Sequence, residues 1–432
     1  MSSGHEVVYR VRGGGQLHGT VFIQGAKNSA LPMIGAALMA SKGRTVLRNI
    51  PIIEDVKRAV ELAQAVGAKA ELHEAERTLV IDASTLTSPV LPAEIASRFR
   101  GSFLFVPALL HRLGEAIVEG VGGCNLGSRN LDFHYNGFKR MGATVTEHGT
   151  DSDVGGYIHV KAGQLQAGTL YCDTPSHTGT ENLVMAGAMA QGTTLIKNAA
   201  LEPEVLDNID FLQRMGARIT GGGTGFIRVE GVDELTAVEH TVMPDRIDAG
   251  VLVMACAIAG GEVSLVGAEL EHLGVAGDKL EQMGVEFHQQ GAVLQVKRDR
   301  ALRPINIITD EYPGFATDLQ SPIMALATQA EGPSYIYERI FDARFQLAEE
   351  LINMGASIEV DGSQRAKVYG ATPLRGAKTV AHDLRSGAAL VLAGLVAEGE
   401  TEISSGYYID RGHSNFVQRL TALGADISRE TA

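Results

Sequence analysis

One short pattern recurs six times along the 432 residues: an amphipathic stretch, then a hydrophobe, a glycine and a small residue, then an alternating run. The copies centre on Val66-Gly67-Ala68, Met141-Gly142-Ala143, Met215-Gly216-Ala217, Met283-Gly284-Val285, Met354-Gly355-Ala356 and Leu423-Gly424-Ala425. The glycines fall about 70 residues apart, longer than the solenoid periods of about 20–50. A repeat of that size has room for a small α/β module.

A second pattern interleaves with the first: an apolar stretch closed by a glycine and followed by a β-rich run. Its copies are residues 31–39 before Gly43, 103–110 before Gly114, and 183–190 before Gly192. The others are 250–259 before Gly261, 323–330 before Gly332, and 388–397 before Gly399. A glycine just past an apolar helix suits a left-handed C-cap, and helices apolar nearly all round are buried ones. The expectation is an α/β fold of six pseudo-repeated modules, each with one buried helix, one amphipathic helix and three or four strands. The chain is too long for one core, so the modules should form two globular domains of three. Helices lie inside and sheets outside, an inside-out α/β barrel. The expected domains are residues 1–25 with 244–432, and residues 26–243. The run Gly13-Gly14-Gly15 with Gly25 marks an early break, and the polar stretch 239–245 separates the third and fourth modules.

Net charge is −14, which argues against a nucleic-acid or anionic-membrane surface. Any anionic ligand must be drawn by local clusters of Lys and Arg. Three cysteines, Cys124, Cys172 and Cys256, make a disulfide framework improbable and a reducing cytoplasm the expected location. The first residues lack a basic region followed by an apolar core, so no signal peptide is expected. The apolar runs 30–40, 249–260 and 388–397 are too short to span a bilayer. No Cys/His cluster has metal-ligand spacing, so no metal or other cofactor is expected. Nothing in the pattern fixes an oligomeric state.

The chemistry-bearing residues fall at set places in the repeats. Gly122-Gly123-Cys124-Asn125-Leu126-Gly127-Ser128-Arg129 reads as a glycine-rich loop, where a nearby cation would favour the Cys124 thiolate. Lys27-Asn28, Arg100, Arg246, Asp318 and Asp383-Leu384-Arg385 stand at the starts of apolar stretches. Arg129, Arg344 and Arg411 stand before amphipathic ones. Equivalent helix ends in a pseudo-symmetric assembly would bring these charges to the cleft between the domains, where helix N-termini add positive charge. Such a cleft suits a small, highly charged anion bearing carboxylate and phosphate groups.

The motifs Gly25-Ala26-Lys27-Asn28-Ser29-Ala30-Leu31-Pro32, the Gly-Gly-Cys loop, Pro175-Ser176 with Thr180-Glu181-Asn182, and Pro244-Asp245-Arg246 carry a family resemblance. So do Pro313-Gly314-Phe315-Ala316-Thr317-Asp318, Ala343-Arg344-Phe345, Asp383-Leu384-Arg385 and Ile409-Asp410-Arg411-Gly412. From residue 9 to 427 the chain resembles the enolpyruvyl transferases, in the branch whose acceptor is UDP-N-acetylglucosamine and whose product feeds peptidoglycan synthesis. The branch acting on shikimate 3-phosphate normally has Ser where Asn28 stands, and lacks the cysteine loop.

The resemblance implies two inside-out α/β globules joined by two chain crossings, and an addition–elimination between phosphoenolpyruvate and a sugar hydroxyl. It implies Cys124 as general acid at the methylene and in product release, Asp318 as acceptor of the hydroxyl proton, and Lys27 as a further catalytic group. Lys27, Arg129 and Arg411 would hold the phosphate of phosphoenolpyruvate, and Arg344 and Arg385 its carboxylate, with Arg100 and Asp383 in the same set. On the nucleotide side it implies Asn28, Arg129, Asn130, Leu131, Asp132, Phe133, His134, Ser176, His177, Thr178, Asp318 and Ile340. The implied partners are these two small molecules, with no nucleic acid and no membrane.

Three departures fall on the acceptor side. Asn130 stands where the family usually has proline, the Gly101 to Pro107 stretch differs, and His177-Thr178 replaces a typical Val-Gly. They favour, as the alternative, transfer to another uridine nucleotide such as UMP, as in nucleoside-antibiotic pathways. A third reading, a catalytically inactive repeat scaffold, is opposed by Cys124, Asp318 and the full set of matched cations.

Overall fold

The computed structural model describes residues 6–97, 100–120, 132–149 and 156–431. The chain divides into two compact units. One is discontinuous, Met1–Gln24 with Pro244–Ala432, and the other is the continuous stretch Gly25–Met243. The chain passes between them twice, after Gln24 and after Met243.

Among the described residues six four-stranded sheets share one plan. In the second repeat the short strand Val90–Leu91 runs parallel to Glu115–Glu119, which pairs antiparallel with Tyr157–Lys161, and that strand with Thr144–His148. Parallel neighbours need a crossover. Here it is made by the 3-10 turn Arg100–Phe105 and the helix Val106–Leu113.

Two sheets of the discontinuous unit are completed by the N-terminal residues. Val7–Arg12 lies between Glu400–Ser404 and Asp426–Thr431, and Leu17–Phe22 runs parallel to Gly261–Val266. In the continuous unit the last strand, Glu239–Thr241, closes the first sheet by pairing parallel with Thr45–Arg48.

The 239–245 stretch, read as lying between the third and fourth modules, holds the division between Met243 and Pro244. Its first part is a strand, whose His240 is buried and 2.8 Å from Asp207. One expectation is corrected: Gly13-Gly14-Gly15 joins two strands of the same unit. The crossing lies at Gly25, where a Cβ would come within 1.7 Å of the Asn49 carbonyl oxygen. Only glycine fits so close a backbone approach.

Three apolar helices in each unit pack on one another. They are Lys27–Ala37, Val106–Leu113 and His177–Ala188 in the continuous unit, and Arg246–Ala259, Gln320–Ala327 and Leu384–Gly394 in the other. Leu384–Gly394 is buried from Arg385 to its end. Fully burying one of its leucines stabilises by about 1.5–3 kcal/mol. Strands alternate instead. Val7, Tyr9 and Val11 are buried, while Arg10 and Arg12 face outward and pair with Glu400.

All six glycines of the hydrophobe-Gly-small pattern are left-handed, with φ between 87° at Gly142 and 111° at Gly216. The C-cap expectation for the second pattern holds only at Gly114, φ 79°. Arg246–Ala259 is closed by Gly260 at φ 81° but with an extended ψ of 169°, and the other four helices end earlier. Lys27–Ala37, for example, unwinds through three tight turns, Leu38 N to Gly35 O, Met39 N to Ala36 O and Ala40 N to Ala37 O. Gly43 follows at φ 85°, in the approach to the next strand.

Candidate active site

Asp318 sits in the 3-10 turn Thr317–Leu319, just ahead of Gln320–Ala327. Its Oδ1 is 3.4 Å from Nη1 of Arg385 and 3.7 Å from Nη1 of Arg344. Both guanidinium groups are almost fully buried, whereas the Asp318 side chain is 39% exposed. The carboxylate is thus the accessible member of a cluster whose cations are fixed in the protein.

Helix geometry fixes Arg385. Asp383 caps Leu384–Gly394, accepting from the backbone N–H of Arg385 at 2.8 Å and of Ser386 at 2.9 Å, and the Ser386 hydroxyl accepts from the Asp383 N–H. This reciprocal capping box ties the helix start. The same Asp383 carboxylate takes Nη2 of Arg385 at 2.5 Å. Burial alone would raise the Asp383 carboxyl, but the adjacent guanidinium and backbone N–H groups pull it down to about 2. Asp383 therefore stays ionised and locks the arginine's direction.

Arg344 is held from the other side. Its Nη1 donates to the Thr317 hydroxyl at 2.5 Å and to the Thr317 carbonyl at 3.2 Å, and the guanidinium lies 4.1 Å from the centre of the Phe341 ring. The loop that carries it is organised by a buried glutamate. Glu338 accepts from the Thr317 hydroxyl at 2.8 Å and from the backbone N–H groups of Ile340 and Phe341 at 2.8 and 3.1 Å.

Arg411 ends the short helix Tyr407–Asp410 and is half-buried. The loop after it is clamped by the buried Gln24, whose amide donates to the Gly412 carbonyl at 2.8 Å and accepts from Ser414 N–H at 2.6 Å. Arg246 begins its helix over the Tyr312 ring, 5.2 Å from the centre, after the Asp245 cap. Asp248, one turn in, is fully buried between His413, at 3.0 Å, and Arg419. Burial opposes its charge, but those two partners hold its carboxyl well below the usual range.

In the continuous unit Lys27 opens its helix with Nζ 2.7 Å from Oδ2 of the buried Asp55, and Asn28 follows it half-buried. His134 is buried, with Nδ1 2.9 Å from Asn182 Nδ2, which also donates to the Phe103 carbonyl at 3.1 Å. Phe133 packs where a Cβ on Gly179 would fall, 2.4 Å away. Ser176 caps His177–Ala188 by accepting from Gly179 N–H at 3.2 Å. Thr178 is exposed. His177 is mostly buried, with Nδ1 3.7 Å from Oε2 of Glu181.

Arg100 and Asp132 begin the helical stretches Arg100–Phe105 and Asp132–Arg140. Cys124, Arg129, Asn130 and Leu131 lie outside the described residues. The other two thiols, Cys172 and Cys256, are buried, and burial pushes each up to about 12. They are inert hydrophobes rather than nucleophiles.

The structure thus gathers Asp318, Arg344, Asp383 and Arg385 in the discontinuous unit. Sequence reasoning missed Glu338, Asp55 and Gln24. Asp55 reads as an ordinary first-turn acid, Glu338 ends a strand without a motif, and Gln24 shows no signal before its partners are known.

A family model described as EPSP synthase (3-phosphoshikimate 1-carboxyvinyltransferase) matches residues 11–420. The chain is 68% identical to the UDP-N-acetylglucosamine 1-carboxyvinyltransferase of Thermobifida fusca (strain YX), over 99% of both chains. It is 44% identical to UDP-N-acetylglucosamine 1-carboxyvinyltransferase 2 of Symbiobacterium thermophilum, over 97% of both. Among solved structures, the enolpyruvyl transferase NikO from Streptomyces tendae superposes with a TM-score of 0.89 at 27% identity, covering 99% of this chain and 100% of that one. The mixed α/β architecture and the sequence agree, and the chain belongs to the EPSP synthase family of enolpyruvyl (1-carboxyvinyl) transferases.

Proposed function

We propose that this protein transfers the enolpyruvyl group of phosphoenolpyruvate to the 3-hydroxyl of UDP-N-acetylglucosamine, releasing phosphate, as a step in making peptidoglycan precursors. One observation carries the reading: 68% identity over 99% of both chains to a relative named for that transfer.

In the proposed reaction the methylene carbon of phosphoenolpyruvate gains a proton, and the acceptor oxygen bonds to C2 as it loses its own. Loss of a methyl proton then restores the double bond as the C2–O bond to phosphate breaks. Asp318 takes the hydroxyl proton, a role that needs reach of about 3 Å in the reacting complex. Its place as the accessible member of the arginine cluster supports this. Arg344 and Arg385 bind the carboxylate of phosphoenolpyruvate, with Asp383 holding Arg385 in direction. Lys27, Arg129 and Arg411 meet the phosphate, Arg100 belongs to the same phosphoenolpyruvate set, and Cys124 supplies the proton at the methylene. Preset cations that meet developing charge need no reorganisation during reaction, normally a large part of catalysis.

Asn28, Asn130, Leu131, Asp132, Phe133, His134, Ser176, His177, Thr178 and Ile340 form the nucleotide side, together with Arg129 and Asp318. Each unit is read as an inside-out barrel, a reading supported by its three mutually packed apolar helices and its half-exposed sheets. Among the described residues no helix is long and apolar enough to cross a membrane, and we place the protein in the cytoplasm. Incubation with phosphoenolpyruvate and UDP-N-acetylglucosamine should release one phosphate per enolpyruvyl nucleotide formed, read by phosphate assay and product mass. Phosphate release without the nucleotide product would refute the assignment.

A further inference from the structure

Glu181 is the most unusual acid among the described residues. It has no exposed surface, and neither carboxylate oxygen meets a hydrogen-bond partner. Leaving a buried polar group unpaired costs about 1–3 kcal/mol, and more for a charged one. The surroundings sharpen the anomaly. Glu202, Glu204 and Asp207, at and just inside the start of Pro203–Arg214, all act on Glu181. Asn208 on the same helix is also buried, with both amide atoms unpartnered. From the other packed elements, His134 pairs with the neighbouring Asn182, His111 bonds the Ala186 carbonyl further along, and Lys27 pairs with Asp55.

Burial and the three carboxylates push the Glu181 carboxyl well up, and a buried carboxyl with no hydrogen-bond donor on either oxygen favours the neutral acid. The basic group facing it is His177, one turn back on the same helix, with Nδ1 3.7 Å from Oε2. The other ring nitrogen, Nε2, is buried and has no protein partner. His177 is also the first residue of its helix, where the macrodipole disfavours a cation and favours an anion. A charged imidazole there makes sense only with an anion beside it.

We propose that Glu181 is a positioning residue for His177, passing its proton to Nδ1 when a phosphate of the acceptor nucleotide reaches the N-terminus of His177–Ala188. The Glu181 O–H bond breaks and the Nδ1–H bond forms. A neutral acid and a neutral imidazole, protonated on Nε2, become a carboxylate and an imidazolium. The Nε2–H then donates a charge-assisted hydrogen bond to the phosphate, roughly twice as strong as a neutral one. This proposal rests on the acceptor-side reading given above.

The test is a pH series of steady-state kinetics with UDP-N-acetylglucosamine on the full chain, its Glu181→Gln and His177→Gln variants, and the double variant. With the internal proton present, KM for the nucleotide stays within about twofold from pH 6 to 8. In Glu181→Gln the imidazole must draw its proton from solvent. KM for the nucleotide should then climb with pH across that range, by about tenfold in all, with kcat and KM for phosphoenolpyruvate nearly unchanged. His177→Gln should raise KM for the nucleotide about tenfold at every pH, and adding Glu181→Gln should cost nothing further, because the two act as one. A Glu181→Gln profile like that of the unmodified protein, or additive effects in the double variant, overturns the proposal. If Glu181→Gln does not fold, His177→Gln decides alone, and an unchanged KM for the nucleotide overturns it. An unmodified protein that turns over no uridine nucleotide would instead sink the functional reading beneath it.

Discussion

Nη1 of Arg385 stands 3.4 Å from Oδ1 of Asp318, although the two are 67 positions apart in sequence. Each opens an apolar helix of its own repeat, and those two helices pack together in one unit. Placing charged residues at repeat starts is therefore what delivers them to each other. The pair joins a buried, fixed cation to an accessible carboxylate, the arrangement that the proposed base beside a bound anion needs.

Asp318→Ala should lower turnover by about 10²–10⁴-fold, the usual contribution of a positioned base. Nucleotide binding, measured by calorimetry, should stay within about tenfold. A fully active variant would reduce Asp318 to a turn residue.

Glu338 is the hidden support of Arg344. In Glu338→Gln an NH2 replaces one of the two accepting oxygens, so it faces either the Thr317 hydroxyl or the Ile340 and Phe341 N–H groups. Mismatched buried groups of this kind cost about 1–3 kcal/mol. Thermal unfolding should shift down accordingly, and KM for phosphoenolpyruvate should rise as Arg344 loses its fixed loop. An unchanged melting temperature together with an unchanged KM would contradict this support role.

Asp383 makes a pH prediction with a definite sign. Its carboxyl is lowered to about 2 in the folded protein from the ordinary 3.8. Its stabilisation is therefore complete above the unfolded value and lost as pH falls through the folded one. At about 1.4 kcal/mol per unit, Asp383→Asn should cost on the order of 2 kcal/mol at neutral pH. The gap to the unmodified protein should close between about pH 4 and pH 2. A constant gap across that window would show that only the cap geometry matters.

Reactivity separates the three cysteines. An epoxide phosphonate resembling phosphoenolpyruvate should alkylate Cys124, faster with the nucleotide present, and leave the buried Cys172 and Cys256 intact. Intact mass and peptide mapping read the outcome. Label on Cys172 or Cys256 with Cys124 untouched would remove the thiol from the mechanism.

What the sequence displayed was periodicity. The hydrophobe-Gly-small glycines were legible because each needs a positive φ that side chains rarely adopt, and the buried helices because they are apolar all round. The strand Glu239–Thr241 was not, since three residues pairing with a strand almost 200 positions away leave no local signature. The candidate site residues at helix starts were legible as an unusual recurrence of charge. Their supports, Asp55, Glu338 and Gln24, look like ordinary polar residues until the fold brings their partners.

The most direct test of the account is a comparison of acceptors on the unmodified chain, by phosphate release with phosphoenolpyruvate and either UDP-N-acetylglucosamine or UMP. The account predicts turnover of UDP-N-acetylglucosamine, with the higher kcat/KM by far. Turnover of UMP, with UDP-N-acetylglucosamine ignored at millimolar concentration, would contradict it.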